Sequence, residues 1–235
     1  MATTPSHSTN LVIAIDGPAA SGKSTTAKLV AERLAYLHVD TGAMYRAITL
    51  KVLRSGVAPD DRVSIARLLE TTRVELRHEG QALTVRLDGE DVTEKIRSVD
   101  VTRAVSLVSS LREVRAAMVR EQRALARNGG IVLEGRDIGT VVFPDADCKF
   151  FLIAGIEARA KRRLKELHES GIEADLGALM KEIAERDRRD STREESPLRK
   201  APDAIEIDTS TMSIEQQVEA VVQRVRDTQE RRKRQ

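Results

Sequence analysis

The sequence predicts an α/β fold in which helices cover both faces of a parallel β-sheet. Short apolar runs recur along the 235-residue chain and alternate with segments of helical periodicity, and strands that are apolar throughout are typical of parallel sheets buried on both faces. A glycine-rich turn separates the first apolar run from the first helical segment. In the middle of the chain a period-two pattern interrupts this alternation, which predicts an insertion with its own small antiparallel sheet.

The expected elements follow from the spacing of the apolar residues. Ala27, Val30, Ala31 and Leu34 recur at helical spacing directly after the glycine-rich turn. Residues 73–87 alternate between apolar and polar on either side of a polar turn, which predicts a hairpin. We predict strands over 11–15, 37–39, 131–133, 149–153 and 204–207, and helices over 23–35 and near 111–127, 156–169, 175–193 and 213–229.

Composition and charge narrow the class of protein. Lys and Arg number 39 against 37 Asp and Glu, and aromatic residues make up 2% of the chain, which argues against a nucleic acid or an anionic membrane as partner. The polar start at 1–10 and the short apolar run at 11–15 do not fit a signal peptide or a membrane span. The lone Cys148 excludes an intrachain disulfide, and we expect a buried thiol in a cytoplasmic protein whose basic tail, 231–234, is solvated.

The glycine-rich turn carries the strongest motif in the sequence. It fits the pattern G-x-x-x-x-G-K-[ST] between a strand and a helix, the context in which backbone N–H groups cradle phosphate. Lys23 is expected to reach the β- and γ-phosphates of ATP, and the Ser24 hydroxyl is expected to bind Mg²⁺. The predicted nucleotide-binding residues are Gly17, Pro18, Ala19, Ala20, Ser21, Gly22, Lys23, Ser24 and Thr25.

Two further polar segments follow predicted strands and belong to the same edge of the sheet, because ligands bind beyond the carboxyl ends of parallel strands. The first, 40–46, contains Thr41, which can cap the next helix, and Arg46 in its first turns. The second, 134–137, contains Arg136 and Asp137. This pair can form a simple ion pair, but its position favours a phosphate clamp beside a carboxylate acceptor.

Helical periodicity singles out other charged residues. On the helix near 111–127, Arg115 faces the apolar stripe, whereas the other arginines face away from it. Near 175–193 the apolar stripe continues into Arg186, Asp190 and Arg193, and position alone leaves open whether that face has left the core or entered a polar cleft. A further basic cluster is either a solvated helix face or a mobile lid that neutralises a transferring phosphate; it contains Arg159, Lys161, Arg162 and Arg163.

Four segments together resemble the bacterial cytidylate kinases, and the likeness extends over roughly 11–222. They are Asp-Gly-Pro-Ala-Ala-Ser-Gly-Lys-Ser-Thr at 16–25, Asp-Thr-Gly-Ala-Met-Tyr-Arg at 40–46, Glu-Gly-Arg-Asp-Ile-Gly-Thr-Val-Val-Phe-Pro-Asp-Ala at 134–146 and Glu-Arg-Asp-Arg-Arg-Asp-Ser at 185–191. The resemblance implies a P-loop core of five parallel strands, a monophosphate-binding region with the family's insertion, and a short lid. We assign the core to 1–40, 111–155 and 195–235, the monophosphate region to 41–110, and the lid with its flanking helix to 156–194.

The resemblance also implies a reaction and a set of roles. The γ-phosphate of ATP would pass to CMP or dCMP. Independently of the resemblance, we expect Mg²⁺ as a cofactor and a monomeric protein. The acceptor phosphate would be held by Thr41, Arg46 and Arg136, the cytosine by Ser106, Arg115, Asp137 and Arg193, and the ribose by Arg186 and Asp190. Catalysis would depend on Lys23, Arg136, Asp137, Arg159 and Arg163. Asp137 either reads the base or orders the phosphates and the metal.

Two alternatives stay open on the sequence alone. A neighbouring kinase with the same loop would act on another monophosphate or a hydroxyl metabolite, and would carry a different acceptor motif. A P-loop switch or a nucleic-acid-associated ATPase would carry a guanine-reading motif or a basic stripe with aromatic residues, and the sequence contains neither.

Overall fold

The structure is a computed structural model that describes residues 10–79, 82–169 and 171–234. The polar start, apart from Asn10, therefore falls outside the described residues. The strands are β1 (Val12–Asp16), β2 (Leu37–Asp40), β3 (Val74–Glu79), β4 (Ala82–Leu87), β5 (Glu90–Asp91), β6 (Ile131–Gly135), β7 (Cys148–Ile153) and β8 (Ile205–Asp208). The helices are α1 (Lys23–Leu34), α2 (Thr41–Arg54), α3 (Arg62–Thr71), α4 (Val99–Val108), α5 (Arg112–Leu125), α6 (Ile156–Glu169), α7 (Leu176–Thr192) and α8 (Ile214–Lys233).

The larger sheet confirms the predicted fold class. Its five strands lie in the order β2-β6-β1-β7-β8, and β1 pairs in parallel with both β6 and β7. Ile13 lies opposite Val132 on one side and Cys148 on the other, and all three side chains are buried. The Cys148 thiol is therefore a core group, as the sequence predicts. Because both neighbours of β1 run parallel to it, the carboxyl ends of these strands meet at one edge of the sheet.

Helices α1 and α8 pack on this sheet through small and β-branched side chains. Ala27, Val30 and Ala31 of α1 are buried, as are four valines of α8. Helix α8 begins at a reciprocal cap in which the Ser213 hydroxyl accepts the Gln216 N–H and the Gln216 side chain accepts the Ser213 N–H. The core that results holds α1, and with it the end of the glycine-rich loop, against β1.

The chain divides into two compact units. Unit 1 comprises 1–39, 125–191 and 198–235, and unit 2 comprises 40–124 and 192–197. Unit 2 contains the predicted hairpin, β3 and β4, to which the short β5 adds a third antiparallel strand. Helix α5, which the sequence assigns to the core at 111–155, lies almost wholly in unit 2. The division into core, monophosphate region and lid stays a prediction.

Helices α2, α3 and α4 were not delimited from the sequence. Helix α2 is buried around most of its circumference, so its apolar residues show no single stripe. The Asp40 side chain, not Thr41, caps it by accepting the Ala43 N–H at 3.0 Å, which corrects the capping prediction. Arg193 likewise lies just beyond α7 rather than on it. In the described part of the chain, none of the helices has the length and apolar character that a membrane span requires.

Candidate active site

The glycine-rich loop, residues 17–24, connects β1 to α1. A Cβ atom on Gly17 would overlap the carbonyl oxygen of Leu152 in the neighbouring strand. Gly22 caps α1 with φ +88°, in the left-handed region, and a Cβ there would lie 2.8 Å from the Gln217 Oε1 atom. Gly17 is therefore required by the close approach of the neighbouring backbone, and Gly22 is favoured by its left-handed backbone conformation.

Lys23 and Ser24, the first two residues of α1, meet one buried carboxylate. The Ser24 hydroxyl donates to Glu134 Oε2 at 2.5 Å, and Lys23 Nζ lies 4.0 Å from the same oxygen. The other oxygen, Oε1, lies 3.3 Å from His38 Nε2. Lys23 also donates to the Pro18 carbonyl at 3.5 Å. The four side chains form the basic–acidic cluster of the loop, defined here as Lys23, Ser24, His38 and Glu134.

The charge of Glu134 is maintained by its neighbours. Burial raises the pKa of Glu134, but the hydrogen bond to His38 and the positive charge of Lys23 outweigh burial, so the pKa lies below its ordinary value. Glu134 is thus an ionised carboxylate at neutral pH, enclosed at 1% exposure. Glu134 is not among the functional residues predicted from the sequence. The available signal was an acidic residue at the end of a strand that is otherwise apolar and fully buried.

Asp16, at the end of β1, orders the segment after Asp137. Its two carboxylate oxygens accept the N–H groups of Ile138 and Gly139, each at 2.8 Å. These residues begin a π-helical turn, Ile138–Val142, in which the Asp137 carbonyl accepts from the N–H groups of Val141 and Val142. Burial outweighs the two backbone donors and raises the pKa of Asp16 to about 7.

Arg136 and Asp137 occupy different environments. Arg136 Nε donates to Asp190 Oδ2 at 2.9 Å, and this pair joins the end of β6 to α7. The Asp137 side chain is 3% exposed. The ion pair that Arg136 forms is therefore with Asp190, which the resemblance assigned to the ribose. Arg186 lies one turn before Asp190 on the same helix.

The four basic residues of the predicted cluster on α6 fall into two groups. Arg159 is buried and forms two hydrogen bonds to the Asp187 carboxylate, at 3.0 and 2.6 Å, and one to the Ala19 carbonyl at 3.3 Å. Arg162 donates to Thr209. Lys161 and Arg163, in contrast, pair with acidic residues of their own helix on its exposed side. The cluster is therefore a solvated face on one side only, and its buried side contacts the glycine-rich loop.

Several of the other predicted acceptor residues lie in unit 2. Thr41 is the first residue of α2 and is buried. Arg46 Nη1 donates to the Ile96 carbonyl at 3.1 Å and to the Thr102 hydroxyl at 3.0 Å. The first bond joins α2 to a 3₁₀ turn, Lys95–Arg97, and the second joins α2 to α4, the helix that carries Ser106 in its last turn.

Arg115 is buried on α5, as the helical periodicity predicts. Its guanidinium lies 5.3 Å from the centre of the Tyr45 ring, close enough for a cation–π contact, and it donates to the Ser109 carbonyl at 3.4 Å. Ser109 in turn donates to the Ser106 carbonyl at 3.3 Å. Arg193 Nε, after α7, donates to the Ser196 carbonyl at 2.6 Å. The predicted acceptor residues thus divide between the units: Thr41, Arg46, Ser106, Arg115 and Arg193 in unit 2, and Arg136, Asp137, Arg186 and Asp190 in unit 1.

Comparison with known proteins identifies one family. The family model described as Cytidylate kinase matches residues 13–227. A cytidylate kinase of Geobacillus sp. (strain WCH70) is 55% identical over 218 residues, which is 93% of this chain and 97% of the relative. A cytidylate kinase of Bacillus subtilis (strain 168) is 48% identical over 215 residues, covering 92% and 96% of the two chains.

A solved structure supports the fold alone. An uncharacterised protein from Eubacterium ventriosum superposes with a TM-score of 0.51, over 93% of this chain and 99% of that one, at 12% sequence identity. The family is therefore identified from sequence similarity to the cytidylate kinases, whereas the structural similarity supports only the fold.

Proposed function

The chain belongs to the cytidylate kinase family and is a kinase that phosphorylates CMP or dCMP, and we propose that ATP bound at the glycine-rich loop donates the phosphoryl group. The observation that carries this assignment is the basic–acidic cluster of the loop. Lys23, the residue that the motif aims at the β- and γ-phosphates, is held near the buried Glu134 carboxylate at the start of α1. The N-terminus of α1 adds its free N–H groups and the positive end of its dipole.

Phosphoryl transfer requires little covalent chemistry from the protein. The reacting groups have to be placed in line, and the charge of the transferred group has to be neutralised. Lys23 supplies one positive charge at the loop. We assign further positive charge to Arg136, and to Arg159 and Arg163 of the proposed lid, 156–194. Arg163 is the more accessible of the two lid arginines, because its side chain is 42% exposed and its partner, Glu166, lies on its own helix.

A divalent cation fits the same cluster. The Ser24 hydroxyl and the Glu134 carboxylate lie 2.5 Å apart and are oxygen donors of the kind that Mg²⁺ prefers. When bound, Mg²⁺ would neutralise phosphate charge beside Lys23. Ser24 is the residue we assign to the metal, and Glu134 orients the Ser24 hydroxyl toward that role.

For the acceptor nucleotide we keep the assignment of the family motifs. Thr41, Arg46 and Arg136 bind the monophosphate. The base is bound by Ser106, Arg115, Asp137 and Arg193, and the ribose by Arg186 and Asp190. This division is supported by the burial of Arg115 and Asp137, at 4% and 3% exposure, because hydrogen bonds discriminate between bases best where water is excluded. The partners are thus small nucleotides, and we infer that the monomeric protein acts in the cytoplasm, where a buried Cys148 thiol stays reduced.

The choice of cytosine over uracil tests this assignment. Cytosine offers an amino donor at position 4 and an acceptor at N3, whereas uracil offers the reverse, so a carboxylate beside position 4 and a donor beside N3 favour cytosine. Two mispaired polar groups at about 1–3 kcal/mol each would discriminate by roughly 30-fold to 10⁴-fold in kcat/KM.

The experiment compares kcat/KM for CMP and UMP in the wild type and in Asp137→Ala. We expect CMP turnover to fall much more than UMP turnover, so that the ratio narrows. Asp145→Ala, an exposed carboxylate on the same connection, is the matched control and should leave the ratio unchanged. An equal fall for both substrates would show that Asp137 orders the phosphates and the metal, leaving base selection to Ser106, Arg115 and Arg193.

A further inference from the structure

The glycine-rich loop is held from its carbonyl side by residues distant in sequence. Three consecutive carbonyl oxygens of the loop, those of residues 19–21, accept side-chain hydrogen bonds. The shortest runs from the Thr209 hydroxyl to the Ser21 carbonyl, at 2.8 Å. Thr209 follows β8 and is completely buried. We propose that Thr209, oriented by Arg162, is a positioning residue that sets the shape of the loop for the phosphates of ATP.

Peptide geometry gives this hydrogen bond its consequence. In a trans peptide the carbonyl of Ser21 and the N–H of Gly22 point in opposite directions. A donor that fixes the Ser21 carbonyl on one side therefore directs the Gly22 N–H to the other side. Gly22 is the N-cap of α1, where free N–H groups bind anions. Thr209 thus controls the direction of a group that we assign to the phosphates.

Arg162 orients the Thr209 hydroxyl by donating hydrogen bonds to Thr209. Its Nη1 atom donates to Thr209 Oγ1 at 3.1 Å and its Nη2 atom donates to the Thr209 carbonyl. Since the hydroxyl accepts from Arg162, its single proton is left for a carbonyl oxygen. The candidates are Ser21 at 2.8 Å and Ile153 at 3.0 Å, and the Ile153 carbonyl already accepts the Thr209 N–H. The Thr209 hydroxyl therefore donates its hydrogen bond to the Ser21 carbonyl, which is the nearer acceptor.

The loop contains a residue in an unfavourable backbone conformation, which the hydrogen bonds from Arg162 and Thr209 help to maintain. Ala20 has φ +58°, a left-handed conformation that is unfavourable for alanine and persists only where the surroundings impose it. Its carbonyl lies 3.5 Å from Arg162 Nη1, and the next carbonyl is the one held by Thr209. On the other side of the loop, Gln217 accepts from Thr26 and lies against Gly22. Arg162 thus holds the carbonyl of the residue with the unfavourable backbone conformation, Ala20, and Thr209 holds the carbonyl of the residue that follows it.

The inference rests on the proposed binding of ATP at the loop, and Thr209→Val tests it with little change in shape. Loss of the hydroxyl should weaken ATP binding and raise the KM for ATP by about tenfold, the equivalent of one such bond, while the KM for CMP stays within twofold. Thr209→Ser, which keeps the hydroxyl, should restore both values. In a ¹⁵N spectrum, the Gly22 amide should respond less to added ATP in Thr209→Val than in the wild type.

Thr49→Val is the matched control. Thr49 is also completely buried, and its hydroxyl also donates to a backbone carbonyl at 2.8 Å, that of Tyr45 in unit 2. It should lower the melting temperature without changing ATP affinity. If Thr209→Val behaves in the same way, with ATP affinity within twofold of the wild type, the role is structural and the inference is overturned.

A second variant covers the case in which Thr209→Val does not fold. Arg162→Gln leaves the Thr209 hydroxyl in place but removes the group that orients it, so ATP affinity should fall several-fold. Unchanged affinity in Arg162→Gln overturns the inference. Failure of the wild type itself to bind ATP would instead refute the proposed function, so the two failures are distinguishable.

Discussion

Glu134→Gln tests whether the buried carboxylate, which the motif does not include, is needed for the reaction. The substitution keeps the shape and the hydrogen-bonding capacity of the side chain but removes its charge. In the structure that charge contributes to a 2.5 Å bond from Ser24 and a 3.3 Å bond with His38, and it faces Lys23 at 4.0 Å. A bond to a charged group contributes roughly 1.5–3 kcal/mol against roughly 0.5–1.5 kcal/mol for a neutral one. Loss of charge therefore costs about 1 kcal/mol for each of two bonds.

If this difference persists in the transition state, kcat/KM falls by about 30-fold. The assay is ADP release coupled to an indicator reaction, at saturating CMP, over a series of ATP and Mg²⁺ concentrations. The matched control is Asp203→Asn, which neutralises the partner of Lys149 in another lysine–carboxylate pair of unit 1. A kcat/KM within twofold of the wild type for Glu134→Gln, with the same Mg²⁺ dependence, would show that the charge of Glu134 is not needed for the reaction.

Three further predictions concern the loop, Asp16 and the proposed lid. Lys23→Ala should lower kcat by several orders of magnitude while far-UV circular dichroism stays native, and a near-normal kcat in the folded variant would contradict the loop assignment. Because the folded-state pKa of Asp16, about 7, exceeds its ordinary value of 3.8, the folded protein binds this proton more tightly. This contribution to the free energy of unfolding should therefore fall by up to about 4 kcal/mol as the pH rises from 4 to 8. Asp16→Asn should abolish this part of the pH dependence in urea titrations, and parallel profiles for variant and wild type would disprove it. Finally, amide hydrogen exchange over 156–169 should slow when ATP and CMP bind together; unchanged exchange would mean that α6 does not close on the nucleotides.

The sequence predicts best those features that depend on local pattern. The central strands of the larger sheet contain apolar runs, such as Ile131–Leu133 of β6, that stand out in the sequence, and the hairpin of β3 and β4 follows from alternation. The inward position of Arg115 was also predicted, because a single helix wheel determines it. The short β5 was missed because two residues carry no periodicity.

Contacts between distant segments could not be predicted in this way. The bond from Thr209 to Ser21 spans 188 residues, and that from Ser24 to Glu134 spans 110. Both depend on the order of strands in the sheet, which brings β6 and β8 to the same edge as the loop after β1. The π-helical turn at 138–142 likewise depends on Asp16, 122 residues earlier. A pattern along the chain contains no information on such pairings until the topology is known.

Transfer of a phosphoryl group from ATP to a cytosine monophosphate is the reaction on which all the site assignments depend. The most direct measurement is ADP release with Mg²⁺ and ATP across CMP, dCMP, UMP, AMP and GMP, expressed as kcat/KM for each acceptor. We expect efficient turnover of CMP and dCMP, with kcat/KM for UMP lower by roughly 30-fold or more and kcat/KM for the purine monophosphates lower still. Turnover of UMP, AMP or GMP equal to that of CMP would contradict this expectation.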